Sequence, residues 1–482
     1  MNTLSLRLGA GAEAMRVAII GGGIAGLSAA YELEMARLRG TPVEYELFEA
    51  GARLGGVIAS EVVDGTVIER GPDSFLTEKP AAMELCRELG LDVDFVSSND
   101  VQRRTYILVR NRLVPLPDGL MFLVPTKILP MLMTPLFSAF TKLRMGLELL
   151  RSPLPHVGDE SVAALVARHY GREVVDRLAD PLLSGIYGGD ADGLSAESVL
   201  PKLVEMEAKH GSLTLGMLAG MRARQGDGDE EAPKPIFTTL RLGLQELVDA
   251  LVGRLDRAWL HVNSPVPGVD RVGDEWSVRS GGAGNAAFDA VIVATPAWAA
   301  AEMLCSVDVE LCEVLGEIPY SSSITVNLVY DGDDLDPLPP GFGFLVPAAE
   351  RRAMLACTFI HRKFPGRTAP GRTVLRVFLG GVRNAALLDE PDEAIEELVR
   401  RELMEILEIS AVPELVEIQR WPRAMAQYAV GHKERRRRIE ERLATLPGLH
   451  LVGNAYDGIG ISDCVRLGRG AAREILGEGA RW

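Results

Sequence analysis

Arg16-Val17-Ala18-Ile19-Ile20-Gly21-Gly22-Gly23-Ile24-Ala25-Gly26 runs a short apolar stretch into a Gly-x-Gly-x-x-Gly turn, and the helical pattern of Leu27 to Leu38 follows at once. A second strand, Val43 to Phe48, ends on Glu49. This strand–turn–helix–strand order has the length of a βαβ unit, so an α/β fold with a Rossmann-like dinucleotide domain is expected. Gly21 permits the tight turn, Gly23 lets the backbone approach a pyrophosphate, and Gly26 allows close helix–strand packing. Gly22, Ile24 and Ala25 belong to the same candidate turn. The helix start offers unpaired N–H groups and a positive dipole end to phosphates. Glu49 lies 23 residues beyond Gly26, where its carboxylate can take hydrogen bonds from ribose hydroxyls and repel a 2′-phosphate.

The next segment, Glu49-Ala50-Gly51-Ala52-Arg53-Leu54-Gly55-Gly56, resembles the extended fingerprint of the glutathione-reductase-like flavoproteins, in their amine oxidase branch. That resemblance implies non-covalent FAD, with Ala50 in the fingerprint and Arg53 placing forked donors at the pyrophosphate. A second strand–glycine–helix pattern closes the chain: Leu451-Val452-Gly453-Asn454, then Asp457-Gly458-Ile459-Gly460-Ile461-Ser462-Asp463. Asn454, Ile459, Gly460 and Ile461 are its candidate flavin contacts, with a helix dipole that favours negative charge on the reduced ring. No other Gly-x-Gly-x-x-Gly follows a strand, so no separate NAD(P)H domain is expected; Gly281 to Asn285 reads as a hairpin turn.

Composition narrows the partners. The chain has 482 residues, 47% hydrophobic and 24% charged, with a formal net charge of −16. That length allows two or three interleaved subdomains, and that charge argues against nucleic acid, which demands clustered Lys and Arg. The Arg435 to Arg438 run sits among glutamates and reads as a solvated helix face. Five scattered cysteines without a CxxC pair suggest a reducing compartment and no disulfide framework. The seven histidines form no ligand-like cluster, so no metal is expected. No signal peptide is apparent, and Met15 is an alternative start to Met1.

Leu113 to Phe140 carries only Asp118 and Lys127 as charges and five prolines. Its longest uncharged stretch, Ile128 to Thr141, is shorter than the roughly 20 apolar residues a bilayer span needs, and prolines break it. Two readings stay open: a buried helical core or lid, and a monotopic patch dipping into one leaflet.

Over essentially the whole chain from Met15, the sequence resembles the oxygen-dependent protoporphyrinogen oxidases among the FAD-dependent porphyrinogen oxidases. The motifs are Arg70-Gly71-Pro72-Asp73-Ser74-Phe75, Ser184-Gly185-Ile186-Tyr187-Gly188-Gly189-Asp190, Gly341-Phe342-Gly343-Phe344-Leu345-Val346-Pro347 and Arg420-Trp421-Pro422-Arg423-Ala424. The resemblance implies a six-electron oxidation of protoporphyrinogen IX to protoporphyrin IX in haem biosynthesis, with three O2 reduced to H2O2. Coproporphyrinogen III is the nearest alternative substrate; an amine oxidase and a non-catalytic flavin or porphyrin carrier are the others. It also implies flavin contacts at Val57, Gly71, Pro72, Asp73, Ser74, Val266 and Trp421. The substrate pocket would take Phe342, Leu345 and Phe378, Arg104 for a propionate, and Gly185 beside substrate and flavin, its carbonyl orienting the macrocycle. A cytoplasmic homodimer, peripheral on the membrane and handing product to a ferrochelatase-type enzyme, completes the implication. The expected division is an FAD domain from 1–90, 235–300 and 445–482, and a mixed-sheet substrate domain from 91–112 and 300–444. A helical, membrane-facing insertion over 113–222 and a surface loop at 223–234 complete it.

Overall fold

The computed structural model describes residues 14–121, 123–153, 158–226, 235–281, 284–332, 335 and 338–478. Met15–Ile20 is the middle strand of a five-stranded parallel sheet, in the order Leu260–His261, Val43–Phe48, Met15–Ile20, Ala290–Val293, Leu449–Leu451. Parallel strands are covered on both faces, which is why Ala290–Val293 is an unbroken apolar run with every residue buried. Val17 and Ile19 face the nucleotide helix (Ile24–Leu38), the C-terminal helix (Ile461–Ile475) and the helix Gln245–Arg254. Ala18 and Ile20 face Ala297–Leu304, Val309–Gly316 and an antiparallel meander of Gly268–Val272, Glu275–Ser280 and Gly284–Phe288. The hairpin turn expected at Gly281 to Asn285 is present as the Ser280–Gly284 pairing, with 282–283 outside the described residues.

A seven-stranded mixed sheet forms the second layer. Its order is Leu415–Ala426, Tyr320–Asp331, Arg372–Gly380, Met354–Phe359, Gly343–Leu345, Thr105–Val109, Arg112–Pro115. Only the Gly343–Leu345 pairing with Thr105–Val109 is parallel among these. One face buries Ile324, Val326, Leu328, Val377 and Leu379 under the helix Asp392–Leu407. Pro422 lies within Leu415–Ala426, a position that a central strand would not tolerate. It is accommodated because this strand is the sheet's edge, and because pairing skips from Ser323–Trp421 to Ser321–Met425.

Residues 112–121 and 123–125 are strands and turns, not helix; helix begins at Ile128–Met133 and continues with Ala139–Leu147, Val162–Tyr170 and Asp180–Tyr187. Their core buries Leu123, Met131, Leu136 and Phe137, yet Ile128, Leu129, Leu132, Met133, Phe140 and Leu143 are each more than half exposed. Among the described residues no helix is long and apolar enough to cross a membrane. Of the loop expected at 223–234, residues 227–234 lie outside the described residues, as do both termini beyond 14 and 478, Met1 included.

Two expectations need correction. Cys305 and Cys312 are paired as a disulfide with Cα atoms 5.0 Å apart, because a helix corner returns the chain on itself; spacing alone did not reveal it. Cys86, Cys357 and Cys464 are free and buried. The Arg435 to Arg438 run is only partly a solvated face. Arg437 pairs with Glu434 and Glu441 on its own helix, but Arg436 reaches Asp457 and Arg438 reaches Glu317.

Candidate active site

Local backbone geometry builds the nucleotide end. Gly21 has φ +108°, and a Cβ on Gly26 would lie 2.0 Å from the Gly21 carbonyl oxygen, so neither position accepts a side chain. At Gly23 the nearest atom to an added Cβ is the Gly56 Cα at 4.0 Å, which leaves that side of the turn open to approach. The nucleotide helix has no side-chain cap and no acid in its first turn, so its N–H groups suit a pyrophosphate. Glu49 accepts from the backbone N–H of Gly22 and of Gly51, both at 2.7 Å. A carboxylate has about four acceptor positions, so capacity remains for a ribose. Val266 is half-buried beside the same layer.

Arg53 also braces its own loop. Its guanidinium donates to the carbonyls of Leu54, Gly56 and Ile58, bracing the loop that carries Ala50 and the glycine pair. Gly55 donates to the Gly22 carbonyl at 2.8 Å, so this loop and the first glycine turn form one wall. The wall continues through Val57, whose carbonyl oxygen would stand 1.7 Å from a Cβ on Gly71.

Three consecutive carbonyls then dock the nucleotide layer on the large sheet. Glu69 accepts from Asn327, Arg70 from Thr325 and from the Trp421 indole at 2.8 Å, and Gly71 from Arg376. The polar end of Trp421 is thereby engaged with the backbone of Arg70. Pro72, Asp73 and Ser74 follow directly; Ser74 Oγ donates to Asp73 at 2.6 Å, and Lys363 sits 3.1 Å from both Asp73 oxygens.

The C-terminal half is fastened by Tyr428. Its hydroxyl donates to the Asn454 carbonyl and accepts from Gly458 N–H, holding the turn before Ile459, Gly460 and Ile461. Asn454 donates to the Ala424 carbonyl. Asp463, in the first turn of the C-terminal helix, accepts from Gly460 N–H and pairs with Lys79 at 2.7 Å. Nothing in local pattern pointed to Lys79, since its partner lies 384 residues away.

Behind Tyr428 stands His432, 1% exposed and stacked on the phenol ring at 4.0 Å. Burial holds its imidazole down at about 4, and Arg436 and Arg435 push the same way against Asp159 and the Tyr456 backbone. His361 is likewise held down at about 4, chiefly by burial. Both folded values lie below the unfolded value, so each contributes stability that is complete above about pH 6.5 and drains away as pH falls toward 4. The expected loss from His432 alone between pH 7.5 and pH 5 is about 2 kcal/mol. Urea unfolding of the wild type and His432→Phe at those two pH values checks this. Equal pH losses in both proteins would refute the assignment.

The predicted substrate residues fall into two groups. Across the face of the large sheet turned toward the nucleotide layer, Leu345, Ala356, Phe378, Thr325 and Gln419 pair in register, so their side chains share one side. Gly185, exposed in the helix Asp180–Tyr187, opposes this row: a Cβ there would lie 3.3 Å from the Leu345 side chain. Arg104 and Phe342 form the second group. Phe342 donates to the Arg104 carbonyl at 2.8 Å and is buried, while Arg104 is exposed.

The chain belongs to the flavin-containing amine oxidoreductase family, whose model matches residues 24–476. It is an FAD oxidoreductase of α/β fold. Within that family it is 36% identical over 465 residues to the coproporphyrinogen III oxidase of Bacillus subtilis, covering 95% of this chain and 97% of that one. The mitochondrial protoporphyrinogen oxidase of Nicotiana tabacum is 28% identical over 500 residues, with 96% and 95% covered. A solved Exiguobacterium sp. structure carrying the provisional name protoporphyrinogen oxidase superposes with a TM-score of 0.84 at 32% identity, covering 96% and 99%.

Proposed function

We propose that the chain oxidises a porphyrinogen to the porphyrin, with O2 as the electron acceptor and H2O2 as product. The observation that carries this reading is the full-length similarity to the B. subtilis coproporphyrinogen III oxidase. When bound, FAD supplies the hydride acceptor and the route of electrons to O2. The chain's own task is then positional. Leu345, Ala356 and Phe378 offer a flat apolar platform, Gly185 leaves room above it, and Arg104 at the margin suits a propionate. Under this reading Gly21, Gly22, Gly23, Ile24, Ala25, Gly26, Glu49, Ala50, Arg53 and Val57 surround the nucleotide and pyrophosphate. Val266 stands toward the adenine, and Gly71 to Ser74, Asn454 and Ile459 to Ile461 flank the flavin ring. The FAD part drawn above, the sheet part and the helical part remain the proposed division of the chain.

Coproporphyrinogen III is the first substrate because the nearer relatives, at 36% and 32% identity, carry that name. Protoporphyrinogen IX is the second reading, favoured by the exposed apolar ridge from Ile128 to Leu143, which fits a peripheral contact with one membrane leaflet. A cytoplasmic location, a homodimer and handover to a ferrochelatase-type enzyme belong to the same proposal and rest on the resemblance alone. Anaerobic titration of flavin absorbance with each porphyrinogen, repeated with anionic lipid vesicles, tests the whole. Reduction by coproporphyrinogen in preference is expected. Preference for protoporphyrinogen, with co-sedimentation on the vesicles, would select the second reading. No reduction by either would end both.

A further inference from the structure

Under Gly71 and Pro72 lies a charged layer that hydride transfer does not require. Asp73 is flanked by Lys363, at 3.1 Å, and by Arg376, at 3.6 Å. Arg367 pairs with Glu69 at 2.5 Å, and Glu69 also accepts from Ser60 Oγ and from Leu244 N–H. All five charged side chains are at most 12% exposed. Three cations therefore face two carboxylates in a space where charge is costly. Burial lowers the Lys363 and Arg376 values, and the neighbouring Asp73 carboxylate pulls both back up. Arg376 Nε and Arg367 Nε and Nη1 meet no hydrogen-bond acceptor among the described residues. With three basic side chains against two carboxylates, the layer holds more basic than acidic groups.

Its place gives the surplus a use. Arg376 donates to the Gly71 carbonyl and lies in the sheet row next to Phe378, its guanidinium carbon 5.0 Å from that ring's centre. Gly71 packs on Val57, which continues the wall begun at Gly23 and Gly56. The layer thus sits where the nucleotide wall meets the apolar platform. We propose that Lys363 and Arg376, held by Asp73, act as positioning residues that place fixed positive charge behind the flavin ring and favour its reduced, negatively charged form. A preorganised charge in a dry site acts more strongly than one in water. This rests on the flavin assignment and is independent of which porphyrinogen is oxidised.

The test is the two-electron reduction potential of bound FAD in purified holoprotein, read against a reference dye. Lys363→Met and Arg376→Met are each expected to weaken the preference for reduced flavin at least tenfold, a shift of about 30 mV to more negative potential. Asp73→Asn removes the compensating negative charge and is expected to move the potential the other way. Arg376→Lys keeps the charge and should stay near wild type. Potentials unchanged in Lys363→Met and Asp73→Asn, or moved in the same direction by both, would overturn the proposal while leaving the cofactor in place. If Arg376→Met does not retain FAD, that opposite-sign pair decides alone, since the Lys363 side chain bonds no backbone group among the described residues. A wild-type chain that takes up no flavin would overturn both this proposal and the site reading.

Discussion

Gly468→Val is expected to yield colourless protein with reduced stability. Gly468 lies on the C-terminal helix where it crosses the first turn of the nucleotide helix. A Cβ there would stand 2.0 Å from the Ala25 carbonyl oxygen and 2.9 Å from its carbon. Both obstacles are backbone, so no rotamer change relieves the overlap and the helices must part. Overpacking of this kind costs roughly 1–3 kcal/mol or more. Separation would displace Ala25 and Gly26, which the proposed flavin site sets at the pyrophosphate. The ratio of flavin to protein absorbance after purification, followed by FAD titration, checks this. Wild-type flavin content would sink it. Gly253→Ala is the matched control: it is helical with nothing within 4 Å of an added Cβ, and should be neutral or stabilising by up to ~1 kcal/mol.

Glu32→Gln should be a costly conservative charge removal. Glu32 is buried on the nucleotide helix and accepts from Arg469 at 2.7 Å and from Arg473 at 3.1 Å. Removing one member of a buried pair strands its partner, at about 3–5 kcal/mol. Arg469 keeps Glu88 at 2.9 Å and Arg473 is a quarter exposed, so the lower end, about 3 kcal/mol, is expected. Glu434→Gln breaks an equally short pair with Arg437 on an open helix face and should leave the urea midpoint unmoved. If the two variants shifted the midpoint equally, burial would not be the deciding variable.

The contrast between these residues explains how far sequence reading reaches. The glycines at 21, 23 and 26 were readable because their requirement is local: a positive φ or a close approach within one turn. Strand, helix and strand from Met15 to Phe48 followed for the same reason. Trp421 and Glu32 were not readable in this way. Their partners are chosen by tertiary packing, and in both cases lie more than 300 residues away. Arg53 has a second task that its type and neighbours did not disclose, since its donors also close its own loop. Residues 112–125 misled because prolines and an even apolar density hide the alternation by which strands are recognised. Cys305 and Cys312 misled because a separation of seven carries no signal until a helix corner brings them together.

The contact of the nucleotide helix with the C-terminal helix also sets an order of events during biosynthesis. The first strand and helix leave the ribosome early, but the strand neighbour Ala290–Val293 comes some 270 residues later, and Gly468 and Arg469 later still. Until then the side of the first helix that meets the last helix has no permanent cover, and Glu32 has no arginine from it. A nascent chain therefore cannot close around the nucleotide. Cofactor capture falls at the end of translation or after it, and a ribosome stalled before the last helix would carry a chain that cannot form the complete cradle.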